Sequence, residues 1–302
     1  MNNINAKMIK VDEDALPFVE IKLKGIDGKI YSALMLMDTG SNFNILATEM
    51  KVLIGKDDWL EESLDGVVNV ANEVSELSQA KFKFEMDNQQ FQEQFAFVDG
   101  QHLMQIDDMM FVGILGSRFM QDNRLAIDYA NMTVHTSNVT AEELNSGKYK
   151  FVIPIEYGLK YYNAPILHIK GKRHGAVVVV DTGCDEFTIT QRAIDECGLN
   201  YRITGNTVEV TGSNGSVDGQ ECVLNFSLTD HKGNQIGKQS FEETVEIIPT
   251  IPDVLEDGEC DEEGKLLPPV DGMIGSPFMA KQKWTIDFGE GAIFGQLNGS
   301  CI

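Results

Sequence analysis

The sequence predicts an all-β chain folded as two lobes related by a pseudo-twofold axis, with only short helices. Three observations carry this. Asp-Thr-Gly occurs twice, at 38–40 and 181–183, each time at the end of an apolar run: ALMLM (33–37) and AVVVV (176–180). A second stretch also recurs, as GILGSRFMQDNRLAIDY (113–129) and GMIGSPFMAKQKWTIDF (272–288). Between these lie short Val-, Ile- and Phe-rich runs bounded by turn residues, with no β-α-β rhythm, which disfavours a doubly wound parallel sheet.

The first half reads as strands at 18–25, 29–37, 66–71, 80–86 and 94–99, with short helices at 46–54 and 117–122. A connector follows at 138–150, where Thr140 and Glu143 have the spacing of a capping box over a single helical turn. The second half reads as strands at 151–155, 164–170, 176–180, 207–212, 222–228 and 243–249, with helices at 190–197 and 276–282. The lobes are therefore expected to be 1–145 and 146–302. The Asp-Thr-Gly copies are 143 residues apart and the Gly-Ser-x-Phe-Met copies 159, so the second half carries 16 extra residues between its motifs. The acidic, Pro-bracketed segment at 248–269 is expected to hold them as a surface loop.

Composition narrows the function. The 302 residues carry a net charge of −23 and show no basic stripe, so a nucleic-acid partner is not expected. The five cysteines (Cys184, Cys197, Cys222, Cys260, Cys301) form no C-x-x-C pair, and the five histidines are scattered, so neither a metal nor another cofactor is expected. The unpaired cysteines and the lack of an apolar leader at the N-terminus point to a cytoplasmic protein. The longest apolar stretches are five residues, too short for a membrane span.

A carboxylate at the end of a buried strand needs a partner. In Asp-Thr-Gly the glycine lets the backbone bring an N–H toward the carboxylate, and the threonine hydroxyl can tie the turn down. Two such turns brought together by a pseudo-twofold axis set two carboxylates side by side. Such a pair shares one proton, leaving one member as a base toward water and the other as a donor to a carbonyl.

The chain resembles the aspartic proteases of the pepsin and retroviral-protease type. The residues that carry the resemblance are ALMLMDTGSN (33–42), AVVVVDTGCD (176–185), Ile114-Leu115-Gly116 and Met273-Ile274-Gly275. It implies a bilobal aspartic-protease fold, two retropepsin-like β-barrel lobes fused in one chain. It further implies that Asp38 and Asp181 are the catalytic pair. Thr39 and Thr182 would link the two loops, the N–H groups of Gly40 and Gly183 would approach the carboxylates, and Ser41 would support an outer carboxylate oxygen. Cys184 stands where the first copy has Ser41, which makes the support of the two aspartates unequal. The two hydrophobic-hydrophobic-Gly segments would brace the turns.

Flap hairpins are expected around Val70 and Ala71 in the first half and around Gly212, Ser213 and Gly215 in the second. Asp128 and Asp287, which follow Ile in both copies, are expected to serve turns rather than catalysis. The function implied is an aspartic endopeptidase that acts as a monomer on an extended peptide or protein, without a membrane partner. The alternative is a non-catalytic peptide-binding or assembly module of the same fold.

Overall fold

Val178 and Val180 belong to the main apolar core, whereas Val177 and Val179 belong to a second cluster with Ala164, Ile166, Val210, Ile248 and Val270. The strand Ala176–Val180 is thus buried on both faces, which is why its sequence is an unbroken apolar run rather than an alternation. The strand Ile30–Asp38 repeats this: Ala33, Met35 and Met37 enter the main core, and Leu34 and Leu36 pack with Phe18 on the other face.

The computed structural model describes residues 3–11, 15–54, 59–63, 67–70, 73–76, 79–98, 105–106, 109–158, 164–212, 215–249 and 270–295. Most of them are strands, arranged in a 14-stranded sheet, a 9-stranded sheet and a two-stranded hairpin. Both halves build the same local pattern. Ile30–Asp38 runs parallel to Met109–Gly116, with Gly116 opposite Asp38, while Ala176–Val180 runs parallel to Gly272–Ile274, with Val180 opposite Ile274. On the far side of each support strand lies a short antiparallel strand, with Gly113 opposite Leu46 and Gly272 opposite Ile189. These pairs obey the two sequence offsets.

The halves meet in a continuous ladder. Leu125–Asp128 pairs antiparallel with Thr285–Asp287, with Ile127 opposite Ile286. Asn5–Ile9 and Thr133–Thr136 extend it on one side, Ala292–Phe294 and Val152–Pro154 on the other. The connector carries the expected cap: Glu143 N donates to Thr140 Oγ1 and Thr140 N donates to Glu143 Oε2, both at 3.2 Å. Among the described residues no helix is long and apolar enough to cross a membrane.

Three elements differ from the sequence reading. The stretch expected as a helix at 46–54 opens as the strand Ile45–Ala47, and only Met50–Leu53 is helical. Leu46 and Ala47 are buried where this strand is clamped between Met109–Gly116 and Gln89–Val98, so sheet pairing overrides helix propensity. At 190–197 the helical turn spans Ala193–Cys197 with π-type bonding, and Gly198 ends it at φ +71°. The strands expected at 207–212 and 222–228 are parts of one long hairpin, Asn200–Gly212 against Gly215–Phe226. Its first strand is the edge of the sheet, and residues 200–207 are exposed and lack an alternating apolar pattern. Beyond 249, the expected surface loop lies outside the described residues.

Candidate active site

Asp38 ends its strand and Asp181 directly follows its own; the turns beyond them are joined by four buried hydrogen bonds. Thr39 Oγ1 donates to Val180 O at 2.6 Å and accepts from Thr182 N at 3.0 Å. Thr182 Oγ1 donates to Met37 O at 2.5 Å and accepts from Thr39 N at 2.9 Å. Both threonines are fully buried. Each hydroxyl thus satisfies two backbone groups of the opposite half, just where each strand opens into its turn. Removing either would leave a donor and an acceptor unpaired inside the protein.

This network sets the carboxyl groups face to face. A Cβ on Gly40 would fall 2.3 Å from Asp181 Oδ2, and one on Gly183 would fall 2.7 Å from Asp38 Cγ. Each turn therefore has glycine because the other turn's carboxylate occupies the space a side chain would need. The N–H groups act as the sequence suggests: Gly40 N donates to Asp38 Oδ1 and Gly183 N to Asp181 Oδ1, both at 2.8 Å. The two carboxyl groups lie within hydrogen-bonding reach of each other. Burial pushes the Asp38 carboxyl above the usual range. The Asp181 carboxyl and the N–H groups of Gly40, Ser41 and Gly183 oppose that rise.

The role expected of Ser41 is corrected. Its hydroxyl donates to Phe43 O at 2.9 Å, and only its backbone N–H reaches Asp38 Oδ1, at 3.2 Å. Cys184 does the same in its own turn, with Sγ 3.6 Å from Glu186 O and accepting from Glu186 N at 3.4 Å. A hydroxyl and a thiol therefore do one local job: each closes its turn on the residue two positions on. The thiol is held well above its ordinary pKa by burial first and then by Asp181, so it stays protonated.

Ile114-Leu115-Gly116 and Met273-Ile274-Gly275 lie directly beneath the turns. Ser117 N donates to Ser41 O at 2.7 Å, Ser276 N to Cys184 O at 2.9 Å, and Asp181 N to Ile274 O at 3.0 Å. A Cβ on Gly116 would fall 2.6 Å from Phe43 O, and one on Gly275 would fall 2.3 Å from Glu186 O. The glycines let the turn backbones rest on the support strands.

Two features escaped the sequence reading. Tyr129 Oη lies 2.6 Å from Ser276 Oγ, which donates to Thr182 O at 2.8 Å. Glu186 has its carboxyl pushed up to about 8 by burial and by Glu246 and Asp185. The signal for the first was a mismatch in the repeat, Tyr129 against Phe288. For the second it was Glu186 against Phe43.

The first flap candidate is the hairpin Val67–Val70 against Glu73–Glu76, with Val70 opposite Glu73. Ala71 lies outside the described residues. In the second half Gly212 stands opposite Gly215 at the end of the long hairpin, and Ser213 lies outside the described residues. Asp128 and Asp287 hold turns: Asp128 Oδ1 accepts from Ala130 N at 2.8 Å and Asn131 N at 3.1 Å, and Asp287 Oδ1 accepts from Glu290 N at 2.9 Å. Among the described residues no His, Cys, Asp or Glu cluster has the arrangement of a metal site.

No model of a known protein family matches the chain, and no curated protein sequence matches it. In structure the chain is similar to an aspartic proteinase from Irpex lacteus, with a TM-score of 0.50 over 99% of this chain and 98% of that one, at 13% identity. The fold is therefore the bilobal β architecture of such a proteinase.

Proposed function

We propose that the chain is an aspartic endopeptidase and that Asp38 and Asp181 are its catalytic pair. The observation that supports this most is that each Asp-Thr-Gly glycine rests against the carboxylate of the other half. The two aspartates share one proton, so one member is ionised and serves as base. It takes a proton from a water whose oxygen attacks the peptide carbonyl carbon. The protonated member gives its proton to the carbonyl oxygen, forming a tetrahedral diol. The proton on the base then passes to the amide nitrogen, the C–N bond breaks, and a diol hydroxyl returns its proton to the other member. The products are a carboxylic acid and an amine, and the pair is restored.

The substrate is an extended peptide segment lying across the two turns, and one chain supplies both, so a monomer suffices. The test is cleavage of fluorescently labelled casein between pH 3 and 7. The wild-type chain should cut it, and Asp38→Asn or Asp181→Asn should each lose about 10²–10⁴-fold in rate. Undiminished cleavage by Asp181→Asn would overturn the mechanism. No cleavage by the wild type, with no thermal shift from a pepstatin-type inhibitor, would favour a non-catalytic module.

A further inference from the structure

Thr182 C=O and Gly183 N–H belong to one peptide unit, and the two ends of that unit face different partners. The carbonyl accepts from Ser276 Oγ at 2.8 Å, while the N–H donates to Asp181 Oδ1 at 2.8 Å. Because the Ser276 hydrogen is used on the carbonyl, the 2.6 Å contact with Tyr129 assigns the tyrosine hydroxyl as its donor. The hydrogen bonds thus run without a break from Tyr129 through Ser276 and the peptide to Asp181. Tyr129 follows Leu125–Asp128 of the first half, and its partners belong to the second. Drawing density onto the carbonyl oxygen through the amide resonance makes the N–H a stronger donor.

The other half lacks this chain. Ser117 is the counterpart of Ser276 and is equally buried, but its Oγ has no hydrogen-bond partner. The counterpart of Tyr129 is Phe288, which has no hydroxyl. The backbones agree nonetheless: Tyr129 N donates to Trp284 O at 3.0 Å and Phe288 N to Leu125 O at 2.9 Å. One oxygen atom therefore separates the two halves at this point.

We propose that Tyr129 is a positioning residue that strengthens the hold of Gly183 N–H on the carboxylate pair and so makes the two turns electrostatically unequal. This rests on the reading of Asp38 and Asp181 as the reacting pair. The titratable groups around the chain are those two aspartates, then Cys184, Asp185 and Glu186 along the same turn. On neighbouring elements Asp128 faces Asn131 and His135, and Lys281 is paired with Glu243. Burial holds the Tyr129 hydroxyl well above its ordinary pKa, so it remains a donor across the working range.

The experiment is a carbon-13 NMR titration of the side-chain carboxyl carbons in aspartate-labelled protein, with the signals assigned through Asp38→Asn and Asp181→Asn. Tyr129→Phe should raise the pair's lower ionisation midpoint by about 0.5 pH unit, and Ser276→Ala by at least as much. The double variant should go no further than Ser276→Ala, since both act on one chain. Ser117→Ala should leave the midpoint where it is. An unmoved midpoint in folded Tyr129→Phe, or an equal shift in Ser117→Ala, would overturn the proposal. If Tyr129→Phe does not fold, Ser276→Ala against Ser117→Ala decides alone. The titration needs no substrate, so failure to cleave casein would count against the enzymatic reading and not against this one.

Discussion

Residues 38–43 read Asp-Thr-Gly-Ser-Asn-Phe, and residues 181–186 read Asp-Thr-Gly-Cys-Asp-Glu. The first three letters agree, and so does everything built from them: reciprocal threonine bonds, glycines pressed on the opposite carboxylate, and 2.8 Å N–H contacts on both sides. The last three letters differ, and so do the surroundings. The first turn ends in a partly exposed phenylalanine, the second in a half-buried carboxyl near a second one, Glu246. The lesson is a division of labour within six residues. The reciprocal groups, the threonines and glycines that complete each other's turns, must match. Groups that face outward are free to diverge, and they give the two sides of the pair different fields.

The largest effect should come from the part that matches. Thr39→Val and Thr182→Val each remove a hydroxyl while keeping the shape, and each orphans one buried N–H and one buried carbonyl. Each should cost about 3 kcal/mol in urea unfolding, and the two costs should agree within about 1 kcal/mol. Thr182→Ser should recover most of the loss. A cost confined to one half would show that the two threonines are not equivalent.

An intermediate effect should come from Glu186, which has no carboxyl counterpart. The fold holds it protonated up to about pH 8, whereas the unfolded chain ionises it near 4.5. Stability from this group is therefore fully present below about pH 4.5 and is lost as pH rises toward 8. Glu186→Gln should flatten that decline and raise Tm above pH 8 by roughly 2 °C, after allowance for its partial exposure. Melts at pH 5 and pH 8.5 check this, and an equal gain at both would contradict it.

The smallest effect should come from Cys184→Ser. Since Ser41 and Cys184 make the same bond to the residue two positions on, the change should stay within about 0.5 kcal/mol. A large change would mean that the thiol has work its counterpart does not share.

Much of this was legible in the sequence, for physical reasons. Tripeptides whose side chains bond across the axis leave little freedom, so Asp38-Thr39-Gly40 and Asp181-Thr182-Gly183 read clearly. The support glycines read clearly because two backbones must touch there. The Thr140–Glu143 cap was local and therefore visible. What did not read depends on distant contacts. Ile45–Ala47 is a strand only because two other strands clamp it. Residues 200–207 of the edge strand Asn200–Gly212 are exposed on both faces, so they carry no periodicity. The resemblance assigns Ser41 to the carboxylate, whereas Phe43 O takes its hydroxyl. Tyr129 was missed because its bond to Ser276 has no reciprocal copy, Phe288 having no hydroxyl.

The central claim is that two turns, one from each half, hold their aspartates as a single coupled pair. A carboxyl titration by NMR tests it most directly, comparing the wild-type chain with Asp38→Asn. The wild type should show two ionisations separated by more than about one pH unit, both felt by Asp181, and Asp38→Asn should leave Asp181 with one. Two independent ionisations near pH 4, with Asp181 unchanged when Asp38 is neutralised, would contradict it.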